Sequence, residues 1–173
     1  LKLNDEDAQA QQSLSRLLAE QGRWDELAEL IAARIEQAER GQKAEQSLEL
    51  QVELGRIKLA RLADPRGALA HFTEVLARRP GHPAAVAALE EMARGEGGMK
   101  AEAALALEPV FADSADHLRL VQVIEARAQS AAPLEKAALL RRIAELYAGP
   151  LESADMAFVY AGRALEAAPD DLE

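Results

Sequence analysis

Apolar residues recur along this chain at helical spacing, in segments that glycine, proline and short polar stretches separate. In the segment 23–40 the large apolar side chains return every three or four residues, at Trp24, Leu27, Leu30, Ile31 and Ile35. This period places them on one face of an α-helix. Val, Ile and Thr are sparse and form no alternating run that is typical of a strand. The pattern predicts an all-α protein.

Residues that stop or cap helices divide the chain into nine predicted helices. Glycines or glycine–proline pairs end several of them, and Asp64-Pro65 supplies both an N-cap and a first-turn proline. The predicted helices cover residues 4–20, 23–40, 43–63, 65–79, 83–94, 101–111, 114–129, 133–147 and 153–168, the first of them capped within 4–7. The loops between them are short, which predicts antiparallel neighbours.

The third predicted helix has two apolar rows rather than one. The first row contains Leu50, Leu54 and Ile57, and the second contains Leu48, Val52, Gly55, Leu59 and Leu62. A helix at the edge of a globule needs one apolar stripe. Two stripes predict neighbours on two sides, as in stacked layers of helices, and the eighth predicted helix has the same feature.

The second half of the chain repeats the first. A shift of 93 residues aligns, among others, Leu14 with Leu107, Ile31 with Ile124 and Arg34 with Arg127. A shift of 89 residues aligns the later helices, including Pro80 with Pro169. Repetition at this scale is typical of helical repeat proteins. It predicts two repeat units, 1–94 and 99–173, which a flexible glycine-rich turn at 95–98 separates.

One hairpin of each predicted unit has a characteristic series of landmarks. In 43–80 they are Leu54-Gly55, Lys58, Ala68, Phe72, Val75 and Pro80, and in 133–169 they are Ile143-Ala144, Tyr147, Ala157, Ala161, Ala164 and Pro169. This series resembles the tetratricopeptide repeat, with Lys58 in place of the family's aromatic residue. The resemblance implies antiparallel helical hairpins that stack into a right-handed superhelix. The stretch Leu107-Glu108-Pro109-Val110-Phe111, followed by Arg127, Tyr147 and Pro169, resembles degenerate arrays in very large bacterial repeat proteins.

The resemblance also implies where a partner binds. Tetratricopeptide arrays bind a protein or peptide on a concave surface, which the first helix of each hairpin lines. By this resemblance the partner contacts are Glu49, Val52, Arg56 and Leu59 in one layer and Ala138, Arg141 and Glu145 in the other. A protein-interaction scaffold is therefore the expected function. A structural spacer in a large repeat protein and a regulatory or sensor domain of a multidomain protein stay open as alternatives.

Charge and composition disfavour most other functions. The formal net charge is −10, which disfavours nucleic acid and anionic membranes as partners. The chain has no cysteine, its three histidines lie far apart, and no spacing typical of a metal or catalytic site is present. No apolar run is long enough to insert into a membrane. We expect no enzyme activity, no cofactor and no small-molecule ligand.

Two further features carry interpretations. Arg34 and Arg127 align in the repeat and share faces with apolar residues, which favours an ion pair between layers over a place in a binding groove. The chain begins with Leu1 and has no signal peptide, so we interpret it as a piece of a longer protein. The compartment is not specified by the sequence, and only the resemblance favours the bacterial cytoplasm.

Overall fold

A computed structural model describes residues 2–95 and 97–169, with their side chains from residue 9 onward. Within these residues the protein consists of helices and loops, which confirms the predicted all-α class and the prediction of nine helices. The helices are α1 (Lys2–Glu20), α2 (Trp24–Arg40), α3 (Ala44–Ala60), α4 (Pro65–Arg78), α5 (Pro83–Arg94), α6 (Lys100–Asp113), α7 (His117–Ala128), α8 (Pro133–Ala148) and α9 (Ala154–Ala167). The predicted caps at 4–7 lie outside the described side chains, as does Glu96 in the predicted turn.

Two helix ends differ from the prediction for a backbone reason. Helix α3 stops at Ala60, with Arg61 as its C-cap, and it cannot extend to Ala63 as predicted, because Ala63 has a φ of +50°, which a right-handed helix does not contain. Helix α7 starts at His117 rather than at Ser114, because Ala115 has a φ of +53°. The left-handed residues turn the chain sharply between neighbouring helices, so that each loop is short.

The loop between α3 and α4 is held by a single carboxylate. Asp64 accepts a hydrogen bond of 2.8 Å from the backbone N–H of Gly67, as predicted for an N-cap, and its Oδ2 lies 3.3 Å from Nζ of Lys58. The bond from Gly67 and the lysine lower the pKa of Asp64. Lys58, which replaces the aromatic residue of the tetratricopeptide pattern, thus fastens the loop instead of filling space between helices.

The helices group into two units by their contacts, α1–α4 up to Arg79 and α5–α9 from Pro80 onward. In each unit, every helix packs against the next one along the chain. The units predicted at 1–94 and 99–173 are defined by sequence repetition rather than by contacts, and they stay a prediction about the repeat.

Helix α3 packs against neighbours on two sides, as its two apolar rows predict. Leu50 and Leu54 belong to the core that α3 forms with α1 and α2, together with Leu18, Leu27, Ile31, Ile35 and Ala38. Gly55, in the other row, lies against the ring of Phe72 in α4. The helix is therefore covered along most of its circumference.

The close contact between α3 and α4 depends on the absence of a side chain at Gly55. A Cβ atom at Gly55 would lie 2.6 Å from Cε1 of Phe72, and Phe72 is 0% exposed. The glycine therefore makes room for a completely buried ring. In the second hairpin the aligned residues are Ala144 and Ala161, so no ring occupies the corresponding space.

In the second unit, helix α6 packs against both α5 and α7, so it belongs to the continuous series of packed helices. Its buried residues Ala103, Ala104, Leu107 and Phe111 lie on the faces that meet these neighbours. At the end of the series α8 and α9 form an extensive pair, in which the rings of Tyr147 and Tyr160 stack with centroids 5.5 Å apart.

The fit at Gly55 generates a stability prediction. We expect Gly55→Ala to lower the free energy of unfolding by about 1–3 kcal/mol, because the methyl group overpacks the buried ring of Phe72. This is the net loss, after the gain in helix propensity of about 1 kcal/mol that replacing glycine by alanine brings. Urea unfolding followed by circular dichroism measures the difference.

The matched control is Gly162→Ala, in the interior of α9. A Cβ atom at Gly162 would have no contact within 4 Å in the described part of the chain, outside its own helix and its chain neighbours. This variant should therefore be about 0.5–1 kcal/mol more stable than the parent chain. Equal stability of the two variants would contradict the close approach of α3 and α4.

Candidate functional site

The seven residues predicted to contact a partner lie on α3 and α8. Five of them are exposed, namely Glu49, Arg56, Ala138, Arg141 and Glu145. Leu59 is half-buried, and Val52 is only 3% exposed, so its side chain contributes to packing. The assignment of these residues to a binding surface stays a prediction. Arg141 and Glu145 of α8 differ from the α3 residues because they line an open groove.

This groove lies between α8 and α9, and two adjoining cavities form it. The larger cavity has a volume of about 650 Å³ and is lined by Ala144, Glu145, Ala148, Glu152, Ala154, Ala157, Phe158 and Ala161. The smaller has a volume of about 220 Å³ and is lined by Ala137, Arg141, Ala161, Ala164, Leu165 and Ala168. Because Ala161 lines both cavities, they adjoin, and we refer to them together as the α8–α9 groove.

The groove exists because small residues replace large ones in the second hairpin. At a shift of 89 residues, Phe72 aligns with Ala161 and Val75 with Ala164. Phe72 and Val75 are both 0% exposed in their hairpin. Their counterparts, Ala161 and Ala164, leave the space between α8 and α9 open, and we call the surface that they form the alanine floor of the groove. In the first hairpin the corresponding space is filled.

Large apolar side chains stand at the edges of this floor. Phe158 is 82% exposed, the largest fraction of any large apolar side chain in the described part of the protein. Leu165 is also exposed, although its counterpart Leu76 is buried. A contiguous apolar surface with polar residues at its rim is typical of sites where proteins bind one another. Here Arg141 and Glu145 provide charges at the rim on α8.

Polar contacts on the opposite side of α9 determine which face points outward. The hydroxyl of Tyr160 donates a hydrogen bond of 3.0 Å to Oε1 of Glu125 in α7, and Nη1 of Arg163 donates one of 3.0 Å to the same oxygen. Burial and the bond to Glu125 raise the pKa of Tyr160. The guanidinium of Arg163 also lies 4.7 Å from the centroid of the Tyr160 ring. These contacts anchor one face of α9 and leave its apolar face exposed.

A buried carboxylate supports α8 from the other side. The side chain of Glu108 in α6 is 8% exposed and pairs with two arginines, Arg127 of α7 and Arg142 of α8. Nη1 of Arg142 lies 2.5 Å from Oε2 of Glu108, and Arg127 donates to Oε1. Arg127 also lies 3.2 Å from Glu135. The Glu108 ion-pair cluster therefore connects three helices.

The cluster settles the role of one of the two aligned arginines. Arg127 forms an ion pair that joins α7 to α6, which is the kind of role that the sequence analysis favours. Arg34 forms no ion pair with the side chains that the structure describes. The reason lies in the repeat, because the residue that aligns with Glu108 is Ser15, which carries no charge.

The remaining polar groups form local contacts. Nδ1 of His71 lies 2.8 Å from Oε1 of Gln51, and burial together with the nearby Lys58 lowers the pKa of this histidine. No group of three or more His, Cys, Asp and Glu side chains that could hold a metal ion occurs among the described residues. In the same part of the chain, no helix has the length and apolar character needed to cross a membrane.

Neither protein-family models nor curated proteins match this chain. The tetratricopeptide resemblance is therefore carried by the landmark residues of two hairpins. The α8–α9 groove, in contrast, is a feature of this chain's own structure, and the family pattern does not describe it.

The Glu108 cluster generates the second prediction. We expect Glu108→Gln to lower the free energy of unfolding by about 2–4 kcal/mol, because it leaves two arginines without their shared carboxylate. The loss should lie near the lower end of values for buried pairs, since the Arg142 side chain is 43% exposed. Urea unfolding of the purified chain measures it.

Glu20→Gln is the matched control, because Glu20 pairs with Arg16 on the exposed surface of α1. This variant should change the unfolding free energy by less than about 0.5 kcal/mol. If both variants shift stability by the same amount, the Glu108 cluster does not hold α6, α7 and α8 together.

Proposed function

We propose that this chain is a protein-interaction scaffold of tetratricopeptide type and that the α8–α9 groove receives its partner. One observation carries the proposal, namely that an alanine floor lies open beside an 82% exposed phenylalanine at position 158. The stacked right-handed superhelix that the resemblance implies is part of the same proposal. The packing of each helix against the next within each unit supports it.

The dimensions of the groove fit an α-helix. Helix α8 contains 16 residues, which corresponds to a length of about 24 Å at a rise of 1.5 Å per residue. Small side chains let helix axes approach to roughly 8–10 Å. An amphipathic helix of about four turns would place its apolar stripe on the alanine floor and against Phe158, a mode of recognition that many helix-binding domains use.

The groove includes two of the residues that the resemblance assigns to partner binding, Arg141 and Glu145. Ala138 is exposed on the same helix. We propose these three as partner contacts, and we keep Glu49, Arg56, Leu59 and Val52 as a second and separate set. A purely structural spacer needs no contiguous apolar surface, so the exposed floor between α8 and α9 favours the scaffold.

Site-specific photocrosslinking tests this function. The amino acid p-benzoylphenylalanine is placed at Ala161, in the middle of the groove, and the chain is irradiated in an extract of the source organism. We expect covalent adducts of defined mass, because a bound helix would lie within reach of position 161. Phe158→Asp should abolish these adducts, since a charge there opposes an apolar partner.

The control places the same crosslinker at Glu166, which is exposed on α9 but does not line the groove. We expect no matching adducts from this position. An absence of adducts at Ala161, or the same adducts from both positions, would contradict binding in the groove.

A further inference from the structure

The chemistry of the α8–α9 groove allows its occupant to be specified further, on the assumption that the proposed function is correct. We propose that the occupant is the same groove of a second copy of this chain, so that two copies form a two-fold symmetric dimer through α8 and α9. Such an interface must be complementary to itself, because each residue that it contains occurs on both sides. The charges and the shape of the groove both meet this requirement.

The charges on α8 are complementary to their own two-fold image. Arg141 and Glu145 are both exposed, line the groove and stand one helical turn apart. When α8 packs antiparallel to α8 of a second copy with the two-fold axis level with Ile143, Arg141 of each copy lies opposite Glu145 of the other. Because of the two-fold symmetry, this pair of Arg141 and Glu145 occurs twice in the interface. Opposite charges in register determine the orientation and the partner of an interface.

The shape of α9 is complementary in the same arrangement. Ala161 shares one cavity with Arg141 and the other with Glu145, so the axis that pairs the charges passes close to it. Phe158 lies about one turn before Ala161. The two-fold axis therefore brings Phe158 of one copy onto the alanine floor near Ala161 and Ala164 of the other, at the Arg141 end of the groove, where its ring faces the cavity of about 220 Å³. An exposed ring and an empty cavity thus occur together on one surface.

The area of this surface fits a reversible dimer. Two helices about 24 Å long and about 10 Å apart present roughly 500 Å² on each copy, or about 1,000 Å² in total. Stable protein interfaces bury about 1,200–2,000 Å², and weaker, transient ones lie below this range. We therefore expect dissociation in the micromolar range, with mainly monomer at 1 µM and mainly dimer at several hundred micromolar.

Sedimentation equilibrium of the full chain between about 1 and 500 µM tests the inference. The monomer mass is 18.7 kDa, so a dimer is readily resolved. Arg141→Glu and Glu145→Arg should each weaken the dimer at least about tenfold, because each brings like charges together at both symmetric pairs. Glu166→Arg, which changes the charge equally but lies outside the groove, should leave the association unchanged.

Mixing the two weakened variants separates specific pairing from a general charge effect. An equimolar mixture of Arg141→Glu and Glu145→Arg chains should form a heterodimer at least as tight as the parent dimer, because both pairs are then of opposite charge. A chain that stays monomeric at 500 µM, single variants that associate like the parent, or a mixture that stays monomeric would each overturn the inference.

The same experiments separate this inference from the proposed function. If the chain stays monomeric but a crosslinker at Ala161 captures a protein other than itself, the self-association is refuted and the scaffold function stands. If it is monomeric and no adduct forms at Ala161, both proposals fail. A crosslinked adduct of twice the chain mass at Ala161, together with charge-dependent dimerisation, supports both.

Discussion

Each internal helix in a series of consecutively packed helices has to cover apolar surface on two sides, and this constraint explains much of the structure. Helix α3 meets it with α2 on one side and α4 on the other, and Gly55 permits the second contact by making room for Phe72. Helix α8 meets it only in part, because it packs against α7 and α9 while part of its surface lines an open groove. The candidate binding surface is therefore a place where the constraint is not satisfied within the described chain.

An incompletely covered hairpin needs support from elsewhere if its groove is to keep its shape. Glu108 supplies this support to α8 through Arg142, and Glu125 supplies it to α9 through Tyr160 and Arg163. Both carboxylates lie on other helices of the same unit, and neither lines the groove. The polar contacts thus fix the position of the two helices while the alanine side remains accessible, which preorganises the surface for binding.

Much of the fold could be predicted from the sequence because helical periodicity and helix-stopping residues are local features. Helix ends at Ala60 and His117 were less predictable, since they depend on left-handed residues at Ala63 and Ala115 whose conformation no composition rule specifies. The Glu108 cluster is not among the predictions, although a glutamate at helical spacing from Ala104 and Phe111 on an apolar helix is a usable clue. The four predicted contacts on α3 came from a family pattern, which could not indicate that Val52 is buried in this chain.

The groove itself could have been inferred from the repeat, because Phe72 aligns with Ala161 and Val75 with Ala164. What the alignment could not supply is the arrangement of Arg141, Glu145 and Phe158 around the resulting space. That arrangement also limits how tightly a partner can bind, because alanines bury little apolar area and the favourable free energy of burial scales with that area. Under the proposed function, most of the affinity then comes from Phe158, while Arg141 and Glu145 select the orientation. A surface with one strong apolar contact and paired charges favours reversible and specific association over permanent assembly.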